Sequence, residues 1–223
     1  MGDAGAIVGR AVANGDWFPV STLKEPYRLE GKKTMGFEIA EQLGWRVPDV
    51  IVYPTGGGVG LIAIVKALRE LQELGWIGDK LPRMVAVQAA GCAPIVRAYE
   101  AGADSAEPWE GAHTVAFGIN VASGVGDFLV LEAIRATQGC AVSVTDEDIL
   151  TQLADCAQSD GAFFCPEGAA TLAAVAKLRK SGWLDGSEEV LVLNTGSGLK
   201  YPNAVVTNPP LLPIDGNIPA TAQ

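Results

Sequence analysis

Five residues, Gly56-Gly57-Gly58-Val59-Gly60, stand directly between a β-branched run and a helical pattern. Glycines in such a turn let the backbone take positive φ and let a ligand come close without a Cβ in the way. The N–H groups of the turn and of the first helical turn lack internal acceptors and point outward. The helix dipole adds partial positive charge at the same place. These residue types at this spacing bind an anion, phosphate above all. Two nucleotide signatures are excluded. The dinucleotide fingerprint is G-x-G-x-x-G with an acidic residue about twenty positions on; here the acid nearest that offset is Asp79, in a polar turn. A Walker A loop needs Gly-Lys-Ser/Thr, which does not follow. The expected ligand is a small phosphomonoester.

A second glycine-rich turn, Thr195-Gly196-Ser197-Gly198, follows the apolar run Glu189-Val190-Leu191-Val192-Leu193. Two such turns at two strand ends suit one ligand held by two loops. Other chemistry-bearing residues are sparse. Cys92, Cys140, Cys156 and Cys165 lie far apart, without a C-x-x-C pair and with the lone His113. Metal spacing is absent, and reduced cytoplasmic thiols are expected. Glu167 at a helix start reads as a favourable dipole partner, and Asp146, Glu147 and Asp148 as a helix-start charge cluster.

The chain has 223 residues, 48% hydrophobic and 19% charged, with mean hydropathy +0.23. That suits one globular domain, or one and a fraction. A net charge of −10 and a pI near 4.6 argue against nucleic acid and against an anionic membrane surface. No apolar stretch reaches the roughly 18 residues of a membrane span. Met1-Gly2-Asp3-Ala4 carries no basic region and does not read as a signal peptide.

The elements around the two turns follow from periodicity and punctuation. Residues 4–13 read as a helix, with Asp3 as N-cap and Asn14-Gly15 as the stop. Residues 16–20 read as extended and 21–29, with Pro26, as irregular. A helix opens at 30–34, turns Met35, Phe37, Ile39, Ala40 and Leu43 inward, and ends at Gly44. A strand precedes Gly56. The helix after it carries Leu61, Ile62, Ile64, Val65, Leu68 and Leu71. Strands follow at 84–88 and 140–144, with helices at 92–101 and 126–137. The second of these helices is expected to turn Phe128, Leu129, Leu131, Ala133 and Ile134 inward. A helix opens at Thr145 and runs to about Ala157. Phe163-Phe164 reads as a short strand piece, then a helix runs from Glu167 to Gly182. The last strand is 189–193, and the tail from Asn208 is expected to be loosely ordered. The five tryptophans sit near element ends as packing residues. Alternating strands and helices predict an α/β fold, a parallel sheet with helices on both faces. Ligands of such sheets bind beyond the carboxyl ends of strands.

Three stretches occur in order: Arg28-Leu29-Glu30-Gly31-Lys32-Lys33-Thr34, Pro54-Thr55-Gly56-Gly57-Gly58-Val59-Gly60, and Asn194-Thr195-Gly196-Ser197-Gly198-Leu199-Lys200-Tyr201-Pro202. Together with Gln88-Ala89-Ala90-Gly91-Cys92-Ala93-Pro94 they resemble the threonine synthases. These are fold-type-II, tryptophan-synthase-β-like enzymes of pyridoxal 5'-phosphate. The resemblance implies conversion of O-phosphohomoserine and water into threonine and phosphate. It implies that Gly56, Gly57, Gly58, Val59 and Gly60 donate N–H groups to the cofactor phosphate, and that Thr195 meets the pyridine nitrogen. It also places Glu167, in Pro166-Glu167-Gly168-Ala169-Ala170, near the cofactor. The family's Schiff-base lysine lies in a segment upstream of the glycine loop, and Lys24, Lys32, Lys33 and Lys200 do not match it. The resemblance thus implies a C-terminal portion of the enzyme, without a catalytic lysine and with most of the phosphohomoserine-binding residues missing. Residues 1–46 would be a remnant of the small domain and its linking helix, 47–207 the cofactor-binding large domain, and 208–223 a tail. The implied partners are an amino-acid substrate and a homo-oligomer or the N-terminal segment. A serine/threonine dehydratase is the alternative enzyme, disfavoured by Glu30-Gly31-Lys32-Lys33-Thr34. A non-catalytic phosphate-ligand domain that needs a partner chain is the alternative of a different class.

Overall fold

Val50-Ile51-Val52-Tyr53 and Met84-Val85-Ala86-Val87 are apolar at every position, the pattern of strands covered on both faces. The computed structural model describes residues 2–15 and 17–205. In it these runs form β1 (Val50–Pro54) and β2 (Arg83–Ala89), with β3 (Cys140–Val144) and the short β4 (Val190–Val192) beside them. The sheet order is β3-β2-β1-β4 and every pairing is parallel, with Tyr53 opposite Ala86 and Val52 opposite Val192.

Eight helices are described: α1 (Gly2–Ala13), α2 (Tyr27–Lys32), α3 (Thr34–Gln42), α4 (Val59–Glu73), α5 (Pro94–Glu100), α6 (Asp127–Ala136), α7 (Asp146–Asp160) and α8 (Pro166–Lys180). The strands alternate side chains between two cores. Ile51, Tyr53, Met84 and Ala86 meet α3, α4, α5 and α6 through residues such as Ile39, Leu61, Ile64, Ile95 and Leu131. Val50, Val52, Val85, Val87 and Val142 meet α7 and α8 on the other face through Ile149, Leu153 and the alanines 169, 170, 173 and 174. Each fully buried Leu or Ile contributes about 1.5–3 kcal/mol relative to exposure. The alanine stripe lets α8 lie close to the sheet.

This layering sets where a ligand can enter. The chain leaves β1 onto the face of α4, and it reaches β4 from the face of α8. Neighbouring strands fed from opposite faces splay their loops and leave a crevice at their carboxyl ends.

The helix ends follow their sequence signals. Thr145 and Asp148 form a capping box on α7, and Gly161 closes that helix at φ +67°. Buried Gln88 takes the place of a cap on α5: its Oε1 accepts from the N–H groups of Ile95 (2.8 Å) and Val96 (3.2 Å).

Several expectations need correction. Residues 21–29 are not irregular throughout, because α2 starts at Tyr27. Pro26 sits at its N-cap, where a missing N–H costs nothing, and buried Glu25 accepts from the N–H groups of Tyr27 (2.5 Å) and Arg28 (3.3 Å). On α6 the inward stripe is Val130, Leu131, Ala133 and Ile134, while Phe128 is 51% exposed. Trp17 is exposed too, and so are Trp45 and Trp76, which meet each other edge to face at 4.9 Å. Phe163-Phe164 makes a single bridge, Phe164 to Ser197. The Asp3 side chain, Asp16 and the tail from Asn208 lie outside the described residues. No helix among the described residues is long and apolar enough to cross a membrane.

Candidate active site

A cavity of about 800 Å³ opens beyond the carboxyl ends of β1 and β4. Gly56, Gly57, Gly58, Val59, Gly60 and Thr195 all line it. Strand β1 delivers the first loop and fixes it before it turns. Thr55 is fully buried, its N–H donates to Val87 C=O at 2.7 Å, and its own C=O accepts from Gln88 Nε2 at 3.2 Å.

The turn itself is cut to fit. Gly58 adopts φ +81°, caps α4 with no side-chain acceptor, and packs where a Cβ would stand 2.1 Å from Val130. The first bond of the helix runs from Ile62 N–H to Gly58 C=O at 3.0 Å. The N–H groups of Val59, Gly60 and Leu61 therefore have no intrahelical acceptor. Gly57 is the open position: a Cβ there would meet nothing within 4 Å. A phosphate ester fits this end. It needs several unpaired N–H donors, a positive dipole end and free space over a glycine, and all three coincide.

The second loop leaves β4 with Leu193 N–H bonded to Val52 C=O at 3.1 Å. It runs against the start of α8, where a Cβ on Gly168 would fall 2.2 Å from Asn194 Oδ1. Thr195 is exposed to the cavity, with Oγ1 4.0 Å from Cys165 Sγ. Cys165 caps α8 by accepting from Gly168 N–H at 3.3 Å. Burial raises its thiol pKa and the nearby Glu167 carboxylate adds to the rise, so it stands in the wall as a neutral thiol. Glu167 Oε1 accepts from the Tyr201 hydroxyl and from Gly118 N–H, each at 2.6 Å. Burial, and then the Glu167 carboxylate, push the Tyr201 phenol far up.

The opposite wall carries no local signal in the sequence. Ser21, Thr22, Lys24, Arg28 and Lys32 line the same cavity from the connection before α2 and from α2 itself. Three cations and two hydroxyls therefore face this space. They carry no periodicity; Ser21, Thr22, Lys24 and Arg28 sit in a stretch read as irregular and Lys32 at a helix start, so only the fold brings them together. Lys200 also lines the cavity. Lys33 does not; its Nζ is paired with Glu30 (2.7 Å) and Glu70 (2.8 Å). His113 is exposed, with Nδ1 2.8 Å from Gly111 O.

Comparison with known proteins adds three findings. Residues 1–196 match the family described as "Pyridoxal-phosphate dependent enzyme". The threonine synthase of Methanosarcina acetivorans is 44% identical over 200 residues, 89% of this chain and 49% of the relative. That of Methanocaldococcus jannaschii is 38% identical over 181 residues, 81% of this chain and 44% of the relative. The chain thus spans about half the length of the curated relatives it matches. Among solved structures, the processed form of threonine deaminase isoform 2 from Solanum lycopersicum superposes with TM-score 0.66 at 18% identity, covering 84% of this chain and 51% of that one. Maize serine racemase gives TM-score 0.58 at 20% identity, covering 78% and 52%. At such identities these structures share the fold.

Proposed function

The chain belongs to the family of pyridoxal-phosphate dependent enzymes, and from that membership we propose that its cavity holds pyridoxal 5'-phosphate between the two loops. Gly56, Gly57, Gly58, Val59 and Gly60 would take the phosphate through backbone N–H groups, and Thr195 would take the pyridine nitrogen. One observation carries this reading: all six residues line a single cavity at the crevice between β1 and β4. Bound there, the cofactor would supply a sink for carbanion charge. The Thr195 hydroxyl is neutral, so it would leave the ring nitrogen less protonated than a carboxylate would.

The reaction we propose is that of a threonine synthase, O-phosphohomoserine and water giving threonine and phosphate. The identity with proteins of that name supports it. So does the facing wall of Lys24, Arg28, Lys32, Ser21 and Thr22, which offers cations and hydroxyls to a second phosphate. The division into residues 1–46 and 47–207 belongs to the same reading, as do a cytoplasmic location and a homo-oligomer or pairing with a lysine-bearing segment.

No lysine of the chain matches the family's Schiff-base segment. We therefore assign the chain non-covalent cofactor binding, and no phosphate release from O-phosphohomoserine until that lysine is supplied in the same polypeptide or another. Equilibrium dialysis with pyridoxal 5'-phosphate, then borohydride reduction and mass measurement, tests this. Saturable binding without a mass increase is expected. Absence of binding overturns the cofactor site. A reduced adduct on Lys24, Lys32 or Lys200 overturns the assignment of the lysine.

A further inference from the structure

The two loops that face each other across the cavity are tied together by one carboxylate in its wall, that of Glu167, which lines the cavity together with its donor residues Gly118 and Tyr201. Glu167 lies in the first turn of α8 and is 5% exposed. It takes part in none of the ion pairs among the described residues. A carboxylate buried without a cation depends on its hydrogen-bond donors, and charge-assisted bonds of this kind are the strong ones. Both of its donors, Gly118 N–H and the Tyr201 hydroxyl, reach the same oxygen.

Each donor belongs to the support of one loop. Gly118 lies in the 3₁₀ turn Phe117–Ile119, against which the glycine loop rests. A Cβ on Gly56 would stand 3.0 Å from Gly118 O and 3.4 Å from Ile119 Cα. Tyr201 closes the other loop: its N–H donates to Gly198 C=O at 2.8 Å, and Gly198 N–H donates to Phe163 C=O at 2.9 Å. One path runs from Glu167 through Gly118 to Gly56. The other runs from Glu167 through Tyr201 to the turn that carries Thr195.

We propose that Glu167 is a positioning residue that fixes the separation between the glycine loop and the Thr195 loop. That separation decides whether one rigid ligand touches both. The consequence for binding rests on the cofactor reading above; the strut itself does not. Pyridoxal 5'-phosphate has a set distance from phosphate to ring nitrogen and needs both loops in register. Inorganic phosphate meets the glycine loop alone and does not.

The test compares the whole chain with Glu167→Gln, Glu167→Ala and Tyr201→Phe by two readouts. The first is amide hydrogen exchange without ligand. Glu167→Ala is expected to speed exchange in residues 117–119 and 198–201 together. Tyr201→Phe should speed it only in the second, and Glu167→Gln, which keeps the acceptor, in neither. The second readout is affinity for pyridoxal 5'-phosphate and for inorganic phosphate. Losing both bonds to Glu167 should weaken the cofactor about tenfold or more while phosphate changes by less than about twofold. Should Glu167→Ala not fold, Tyr201→Phe carries the same comparison through its own segment and its own affinity split. Unchanged exchange in the variants, or equal losses for both ligands, overturns the proposal. The expected exchange pattern in the variants, with no cofactor binding by the wild-type chain, overturns the cofactor reading and leaves the strut standing.

Discussion

Gly60 faces Tyr53 so closely that a Cβ on the glycine would stand 1.9 Å from the phenol oxygen. Tyr53 is a buried residue of β1 and Gly60 belongs to the first turn of α4. The absence of a side chain at one position lets the helix start where the strand ends. Gly60→Ala should therefore lower stability by about 1–3 kcal/mol through overpacking, read from the denaturant midpoint. Tyr53→Phe should rescue it only in part, since Cζ remains 2.4 Å from the added carbon. A neutral Gly60→Ala would show that the helix can slide along the strand.

Gly57 gives the cleanest test of anion binding, because a side chain there meets no protein atom within 4 Å. Gly57→Asp should keep the fold and its melting temperature, yet lower affinity for pyridoxal 5'-phosphate by at least about a hundredfold, through like-charge repulsion at close range. Gly57→Ala should be far milder. Gly58 does not separate the effects, since φ +81° and Val130 penalise any side chain there. Unchanged cofactor affinity in Gly57→Asp would mean that the phosphate goes elsewhere.

The chain has four tyrosines, and burial raises the phenol pKa of two of them, Tyr53 and Tyr201, with Glu167 adding at Tyr201. A phenol raised above its unfolded value of about 10 contributes stability that is complete below that pH and is lost as pH rises through the folded value. Stability should hold to about pH 10 and fall beyond it, with phenolate absorbance from these two residues appearing only as the chain unfolds. Tyr201→Phe should remove one late-titrating group. If Tyr201 ionises near pH 10 in the folded chain, the Glu167 contact is not formed.

Phe117, Val125 and Leu199 are 66%, 51% and 80% exposed, and Val125 lines the cavity. Among the described residues, strand β4 ends the sheet at three half-buried residues. Apolar surface and an open strand edge of this kind promote association. Self-association at micromolar concentration, or poor solubility, is expected on sedimentation. A well-behaved monomer with one sharp melt would count against it.

The sheet, its helices and the glycine loop were legible because each carries a local signal. Val50 to Tyr53 is apolar at every position, and Gly56 to Gly60 sits at the change of period. Thr195 was legible as a strand end. The cations Lys24, Arg28 and Lys32 were not, since their position depends on how α2 packs beside α4, a long-range relation without periodicity. The roles of Glu167 and Tyr201 were hidden for the same reason. They are 34 residues apart, and each looks like an ordinary helix-start acid or turn aromatic until the fold puts them 2.6 Å from one another. Phe128 misled because hydrophobicity alone does not tell which side of a helix faces the core.

The amino end of α4 has no side-chain cap. The left-handed φ of Gly58 and the closeness of Val130 bar a Ser or Asp cap at that position. Without one, an anion bound at this end would add stability as RT ln(1 + [L]/Kd), about 2.7 kcal/mol when ligand exceeds Kd a hundredfold. The melting temperature then reports ligand concentration. In a cell short of ligand, more of the chain unfolds at any moment and proteases remove it sooner. Its abundance would follow the supply of the molecule it binds.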